Sequence, residues 1–169
     1  MDATIPQQEI DPGLLAVLDA VSDPEIPVLS IVQMGVIRRA VSTGGNRVEV
    51  DITPTYSGCP AMDVIADDVR AALARAGFEA QVRLVLAPAW TTDWITPQGR
   101  AALEAYGIAP PLEASADKAA LLGESKVVKC PRCGSTRTTL VSRFGSTACK
   151  ALFKCDDCLE PFDYFKCLK

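Results

Sequence analysis

The sequence predicts an α+β protein in two pieces. A small α-β-β-α-β-α domain with a three-stranded sheet comes first, followed by an antiparallel four-cysteine zinc ribbon. Three observations predict this. Residues 61–76 repeat apolar side chains at helical spacing, whereas residues 47–53 alternate them as a strand does. Six of the seven cysteines lie after residue 127. Four of those six form two C-x-x-C pairs, a thiolate metal-site spacing. The boundaries follow: a tail over 1–10, a first domain over 11–108, a linker over 109–126 and the ribbon over 127–169.

Each element has a local reason. Asp11-Pro12 opens the first helix, because proline suits the first helical position, and Ser22-Asp23-Pro24 stops it. "MGVIRRAVS", "TGGN" and "RVEVDIT" read as strand, turn and strand, with Val48, Val50 and Ile52 on one face. The second helix carries Val64, Ile65, Val69, Ala72, Leu73 and Ala76 at helical spacing, and Gly77 supplies its stop. "AQVRLVLAPAW" is a third strand, largely buried by its composition. Thr96-Pro97 opens a last short helix that ends near Tyr106-Gly107. The linker is rich in alanine and proline and has no clear apolar stripe.

Composition excludes several functions. The chain has no histidine, so a Ser-His-Asp triad and mixed Cys/His zinc sites are ruled out. No run of ~20 apolar residues exists to cross a membrane. The first residues are acidic and polar, unlike a signal peptide, so a cytosolic protein is expected, where paired cysteines bind metal more often than they form disulfides. Residues 126–169 hold nine Lys/Arg against four Asp/Glu, while residues 1–125 hold eight against seventeen. A basic tail piece could meet nucleic acid, or could simply keep a small domain soluble.

Cys130-Pro-Arg-Cys133 and Cys155-Asp-Asp-Cys158 are separated by 21 residues that read as strand, turn and strand. Two such turns supply the four thiolates of tetrahedral zinc, and a rubredoxin-like iron site is the alternative for the same ligands. Such a metal staples a domain too small to hold a core of its own. A hairpin closed at the Cys155–Cys158 turn would set Cys149 beside Cys167, away from the zinc. The pair is then an accessible auxiliary metal or thiol site, unless the two are only packing residues. Cys59 stands in "TPTYSGCPAM", between strand and helix, where a helix cap would lower its pKa and make it a reactive thiol. A buried structural cysteine is the other reading. Asp23 and Glu25 either shape a turn or offer carboxylates beside Cys59, as oxygen ligands for iron or as a general base.

Three stretches carry a resemblance: "DPEIPVLSIVQMGVI", "TPTYSGCPAM" and "APAWTTDWITPQGRAALEAYGI". Together they resemble the SufT-like iron–sulfur assembly domain, the metal–sulfur cluster biosynthetic family. The pattern comprises Asp23-Pro24-Glu25, Gly35, the T-x-x-G-C-P loop from Thr55 to Pro60, and Trp90 with Trp94. The resemblance implies that the loop cysteine, Cys59, is the functional residue, with iron or an iron–sulfur cluster as transient cargo. With the C-terminal ribbon and the phrases "FGSTACKALFKC" and "EPFDYFKC", the whole chain resembles the PaaD family of bacterial phenylacetyl-CoA epoxidase (phenylacetate-CoA oxygenase) systems. That implies a cytoplasmic accessory or maturation role in aerobic phenylacetate catabolism, with other epoxidase subunits as partners. A chain without histidine has no E-x-x-H pair for a di-iron centre, and no Gly-rich dinucleotide fingerprint is present, so neither the oxygenase nor the reductase role fits. Two other readings stand beside it. One is a thiol redox protein using Cys59 or the Cys149 and Cys167 pair. The other, less favoured, is a nucleic-acid-binding ribbon suggested by the basic tail, with few aromatics arranged for base stacking although Phe162, Tyr164 and Phe165 cluster. A homo-oligomer is compatible with each.

Overall fold

The structure, a computed structural model, describes residues 9–112 and 128–166. The chain divides into two compact units, Met1–Gly99 and Arg100–Lys169. The fold is mixed α and β, as the sequence predicts.

In the first unit, strand β1 (Glu9–Ile10) leads into helix α1 (Pro12–Asp19). Strands β2 (Ile37–Gly44) and β3 (Arg47–Ile52) form a hairpin, followed by helix α2 (Ala61–Arg75) and strand β4 (Glu79–Leu84). The sheet order is β1-β2-β3-β4, with β2 and β3 antiparallel and the outer pairs parallel. Among the described residues the sheet therefore has four strands, not three. The added β1 is two residues long, too short to leave an alternation pattern in the sequence. Asp11 precedes α1, but its carboxylate makes no cap; Oδ2 accepts from the Ser42 N–H at 2.7 Å and ties the helix start to β2.

One face of the sheet is dry. Ala40, Val48, Val50 and Ile52 are buried, as are Ile65, Val69 and Leu73 of α2 and Leu14 and Leu18 of α1. Burying such side chains stabilises by roughly 1.5–3 kcal/mol each. Strand β4 departs from expectation. None of its residues is buried, and Leu84 is 55 % exposed. Composition suggested a buried strand, but β4 is the last strand of its sheet, and an edge strand is covered from fewer directions.

The segment after β4 folds back on the loop before β2. Trp90 is buried and its Nε1–H donates to the carbonyl of Met34 at 3.0 Å. Gly35 has φ +74°, and a Cβ there would stand 2.7 Å from the Cβ and carbonyl oxygen of Trp94. Only glycine combines that backbone with that close approach. A 3-10 turn over Thr92–Trp94 follows, and the Arg38 guanidinium lies 4.0 Å over the Trp94 ring.

Helix α3 (Pro97–Tyr106) runs across the division between the units. In the second unit, strand β5 (Ile108–Ala109) joins β6 (Thr138–Ser142), β7 (Lys150–Cys155) and β8 (Pro161–Phe165) in the order β5-β8-β7-β6. The three ribbon strands are antiparallel, and β5 runs parallel to β8. Val128, Ala151, Phe153, Phe162 and Tyr164 form a small core together with Cys130 and Cys155. Phe153 stacks on Phe162 with ring centres 5.9 Å apart, and meets Tyr164 edge-on at 5.5 Å. The Tyr164 hydroxyl accepts from the Leu112 N–H at 3.2 Å.

Candidate functional sites: a four-cysteine centre and a thiol loop

The ribbon's two C-x-x-C turns are built alike. The N–H of Cys130 donates to the carbonyl of Ser135 at 2.8 Å, and that of Cys155 to the carbonyl of Glu160 at 3.0 Å. Each turn needs a left-handed residue just after its second cysteine. Gly134 fills that place with φ +76° and Leu159 with φ +64°. Glycine takes this conformation freely, whereas leucine does so against its Cβ.

The four sulfurs of Cys130, Cys133, Cys155 and Cys158 lie within 4.8 Å of one another. Two of the separations are 3.8 Å (Cys130 to Cys158) and 3.5 Å (Cys133 to Cys155). Sulfurs at ~2.3 Å around tetrahedral zinc stand ~3.8 Å apart, so the donor set and its dimensions fit that ion. Electrostatics call for a cation as well. The N–H of Cys158 holds the Cys155 thiol below its usual pKa, helped by the neighbouring thiols against the cost of burial. The Glu160 N–H favours a Cys158 thiolate too, but burial and the three other sulfurs outweigh it and push that thiol up to about 12. Four thiolates cannot coexist at neutral pH without a positive ion between them. Cys130 and Cys155 are buried, whereas Cys133 faces solvent.

The Phe162, Tyr164 and Phe165 cluster is not on the surface. Phe162 is 4 % exposed, and Tyr164 and Phe165 are 0 %. They form the ribbon's core and are not available to stack on bases.

Cys59 occupies the loop between β3 and α2. It stands one residue before the helix cap, which is Pro60, rather than at the cap itself. Burial raises its pKa above the ordinary thiol value. The Ala61 N–H, at the first turn of α2, donates to the sulfur and opposes that rise. The Glu25 charge adds to it, the Tyr56 side chain opposes it by hydrogen bonding, and the Asp23 charge adds again. The expected low-pKa thiol is thus corrected. The helix end does point at the sulfur, but half-burial, with the Glu25 and Asp23 charges acting in the same direction, outweighs it.

The acidic-proline turn thus comes to the cysteine loop from a distant part of the chain. Asp23 is buried, and its Oδ1 accepts from the N–H groups of Glu25 at 2.8 Å and Ile26 at 2.9 Å. It shapes its turn and also sets a negative charge near Cys59. Tyr56 was not singled out from the sequence. Its place in the T-x-x-G-C-P loop, three residues before the cysteine, was the available signal.

Cys149 is 4 % exposed, and its sulfur lies 3.1 Å from the Thr147 hydroxyl. The accessible site expected there is therefore not seen at Cys149; Lys150 and Phe165 around it are buried too. Register pairs Lys150 with Phe165, and the Lys166 N–H donates to the Cys149 carbonyl at 2.9 Å. Cys167 lies outside the described residues, and so does its pairing with Cys149.

Comparison with known proteins places both sites in context. Residues 13–85 match the family described as "Iron-sulfur cluster assembly protein", and residues 114–166 match the "PaaD zinc beta ribbon domain". A crystal structure of the domain of unknown function DUF59 from Bacillus anthracis superposes with a TM-score of 0.51 at 30% identity. It covers 54% of this chain, which covers 88% of it. The class is therefore an iron–sulfur assembly-type domain followed by a zinc ribbon with a four-cysteine metal site. A protein of Escherichia coli K12, whose name assigns it provisionally as the D component of 1,2-phenylacetyl-CoA epoxidase, is 53% identical over 154 residues. The match covers 90% of each chain. The chain belongs to this PaaD family of phenylacetyl-CoA epoxidase components. The "Fe-S protein maturation auxiliary factor YitW" of Bacillus subtilis 168 is 28% identical over 99 residues, covering 57% of this chain and 96% of that protein. Among the described residues no helix is long and apolar enough to cross a membrane.

Proposed function

We propose that this chain is an accessory maturation component of a cytoplasmic phenylacetyl-CoA epoxidase system. It assists delivery of iron or an iron–sulfur cluster to an epoxidase component, and other epoxidase subunits are its partners. It performs no oxygenation itself. Zinc is its resident ion, held by Cys130, Cys133, Cys155 and Cys158, and supplies folding energy to the ribbon rather than chemistry.

One observation carries the reading: a half-buried thiol, Cys59, with a helix-start N–H and a tyrosine side chain on its sulfur and the charges of Glu25 and Asp23 acting on it. The negative charges of Glu25 and Asp23 that disfavour a bare thiolate favour an incoming cation for the same reason. The thiol then stays protonated until cargo arrives. On binding, the S–H proton leaves and the sulfur lone pair goes to the metal, so thiol and cation give a metal thiolate and one proton. The Ala61 N–H and Tyr56 hold the sulfur in place. A single thiol is an incomplete ligand set, which suits transfer more than storage.

The test is metal analysis of the anaerobically prepared protein after exposure to ferrous iron. Iron should be retained beyond one zinc per chain, and Cys59→Ala should lose the iron while keeping the zinc. Equal iron in both proteins would remove Cys59 from the reading.

A further inference from the structure

The wet face of the first sheet carries a ladder of charges that runs from edge to edge. Glu9 on β1 pairs with Arg39 on β2 at 3.4 Å, and Arg39 pairs with Glu49 on β3 at 2.9 Å. Arg83 on β4 pairs with Asp51 at 2.8 Å and with Glu49 at 3.4 Å. The sign alternates strand by strand: acid, base, acid, base. The ladder ends at β4, which among the described residues is one of the two edges of the sheet and the longer edge strand.

Which backbone groups face outward from that edge follows from the bonds inward. Glu79 donates its N–H to Asn46 and Val85 donates to Ile52, both toward β3. Strand groups alternate, so the N–H and C=O of Ala80 and Val82 point away from the sheet. Those are the groups a further strand would use.

We propose that β4 pairs antiparallel with β4 of a second copy of this chain, about a two-fold axis at Gln81. In this register Ala80 of each copy faces Val82 of the other and exchanges both backbone hydrogen bonds with it. Gln81 faces Gln81 in a non-hydrogen-bonded pair, and Glu79 of each copy faces Arg83 of the other. Non-hydrogen-bonded pairs bring side chains closest, so the two opposite-charge pairs fall where they act most strongly. Each Arg83 already sits between Asp51 and Glu49, and the second copy's Glu79 supplies the next acid of the alternating ladder. A shift of the axis to Val82 sets Arg83 opposite Gln81 and leaves no ion pair. A shift to Arg83 sets like charges face to face. The interface is self-complementary, as a two-fold contact requires.

The test is sedimentation equilibrium of the full chain, zinc-loaded, across a concentration series. The mass should rise from 18.0 kDa toward twice that value. Glu79→Arg, an exposed change, sets two pairs of arginines together and should weaken the dimer about tenfold. Val82→Pro removes an outward N–H that the monomer does not use; proline is tolerated at such an edge position, and the dimer should be lost. Gln81→Cys should form a disulfide between copies at that residue, mapped by mass spectrometry, because opposed cysteines on the axis lie within bridging distance. A chain that stays monomeric throughout, or a dimer that Glu79→Arg leaves unchanged, overturns the proposal.

Discussion

Cys59 shows how opposing effects at one residue are weighed. The start of α2 favours its thiolate, while burial and the Glu25 and Asp23 charges disfavour it, and the net pKa is raised. The sign sets reactivity. Below its pKa a thiol reacts in proportion to its thiolate fraction, so a raised pKa slows alkylation at neutral pH. The midpoint of alkylation rate against pH for Cys59 should therefore lie above the ordinary thiol value of ~8.5 in protein without cargo. Glu25→Gln removes one negative charge and should move that midpoint down, so the variant reacts faster than the parent at pH 7. An unchanged midpoint in the variant would show that Glu25 does not act on the sulfur. From sequence alone the helix was visible and the carboxylates were only candidates. Burial was not visible, because it depends on how distant segments pack, and this reversed the sign.

At the level of elements, the two C-x-x-C turns were legible because a metal site fixes residue type and spacing together. The ribbon hairpin was legible for the same reason, since the metal turn sets its register. Two features were not. Strand β4 looked largely buried because its composition does not reveal that, among the described residues, no strand pairs with its outer edge. The pairing of Ile108 and Ala109 with Asp163 and Tyr164 joins residues far apart in the chain, which local periodicity cannot report. Leu159 offers a check on the turn geometry. It holds a left-handed backbone and is 64 % exposed, so little burial would be lost on replacement. Relief of the left-handed leucine is worth about 1–2 kcal/mol, and the greater freedom of glycine when unfolded offsets about half of it. Leu159→Gly should thus stabilise the metal-bound ribbon by about 0.5–1 kcal/mol, read as a higher denaturant midpoint for loss of ribbon structure. A lower midpoint would mean the leucine side chain contributes packing that outweighs its strain.

At the level of the whole molecule, the two units rest on different forces. The first holds its sheet and helices by an apolar core. The second has a small aromatic core and four cysteine sulfurs at its end. Structural zinc contributes about 10–16 kcal/mol of binding free energy to such folds at neutral pH. Removing metal with a strong chelator should therefore abolish amide protection in β6, β7 and β8, while the amides of α2 keep theirs. Acid should do the same, since the sulfurs must lose protons to hold the ion, and metal loss should follow falling pH. Protection that survives chelation in β7 would place the ribbon's stability in its aromatic core instead.

The central claim is that the Cys59 loop hands metal to another protein while the ribbon zinc stays in place. The most direct measurement is the iron content of the epoxidase component after anaerobic incubation with iron-loaded chain, parent or Cys59→Ser. The parent should raise that content. Cys59→Ser should leave it at the level of incubation without the chain, with one zinc per chain retained and an unchanged circular dichroism spectrum. Full iron loading by the serine variant would contradict the account.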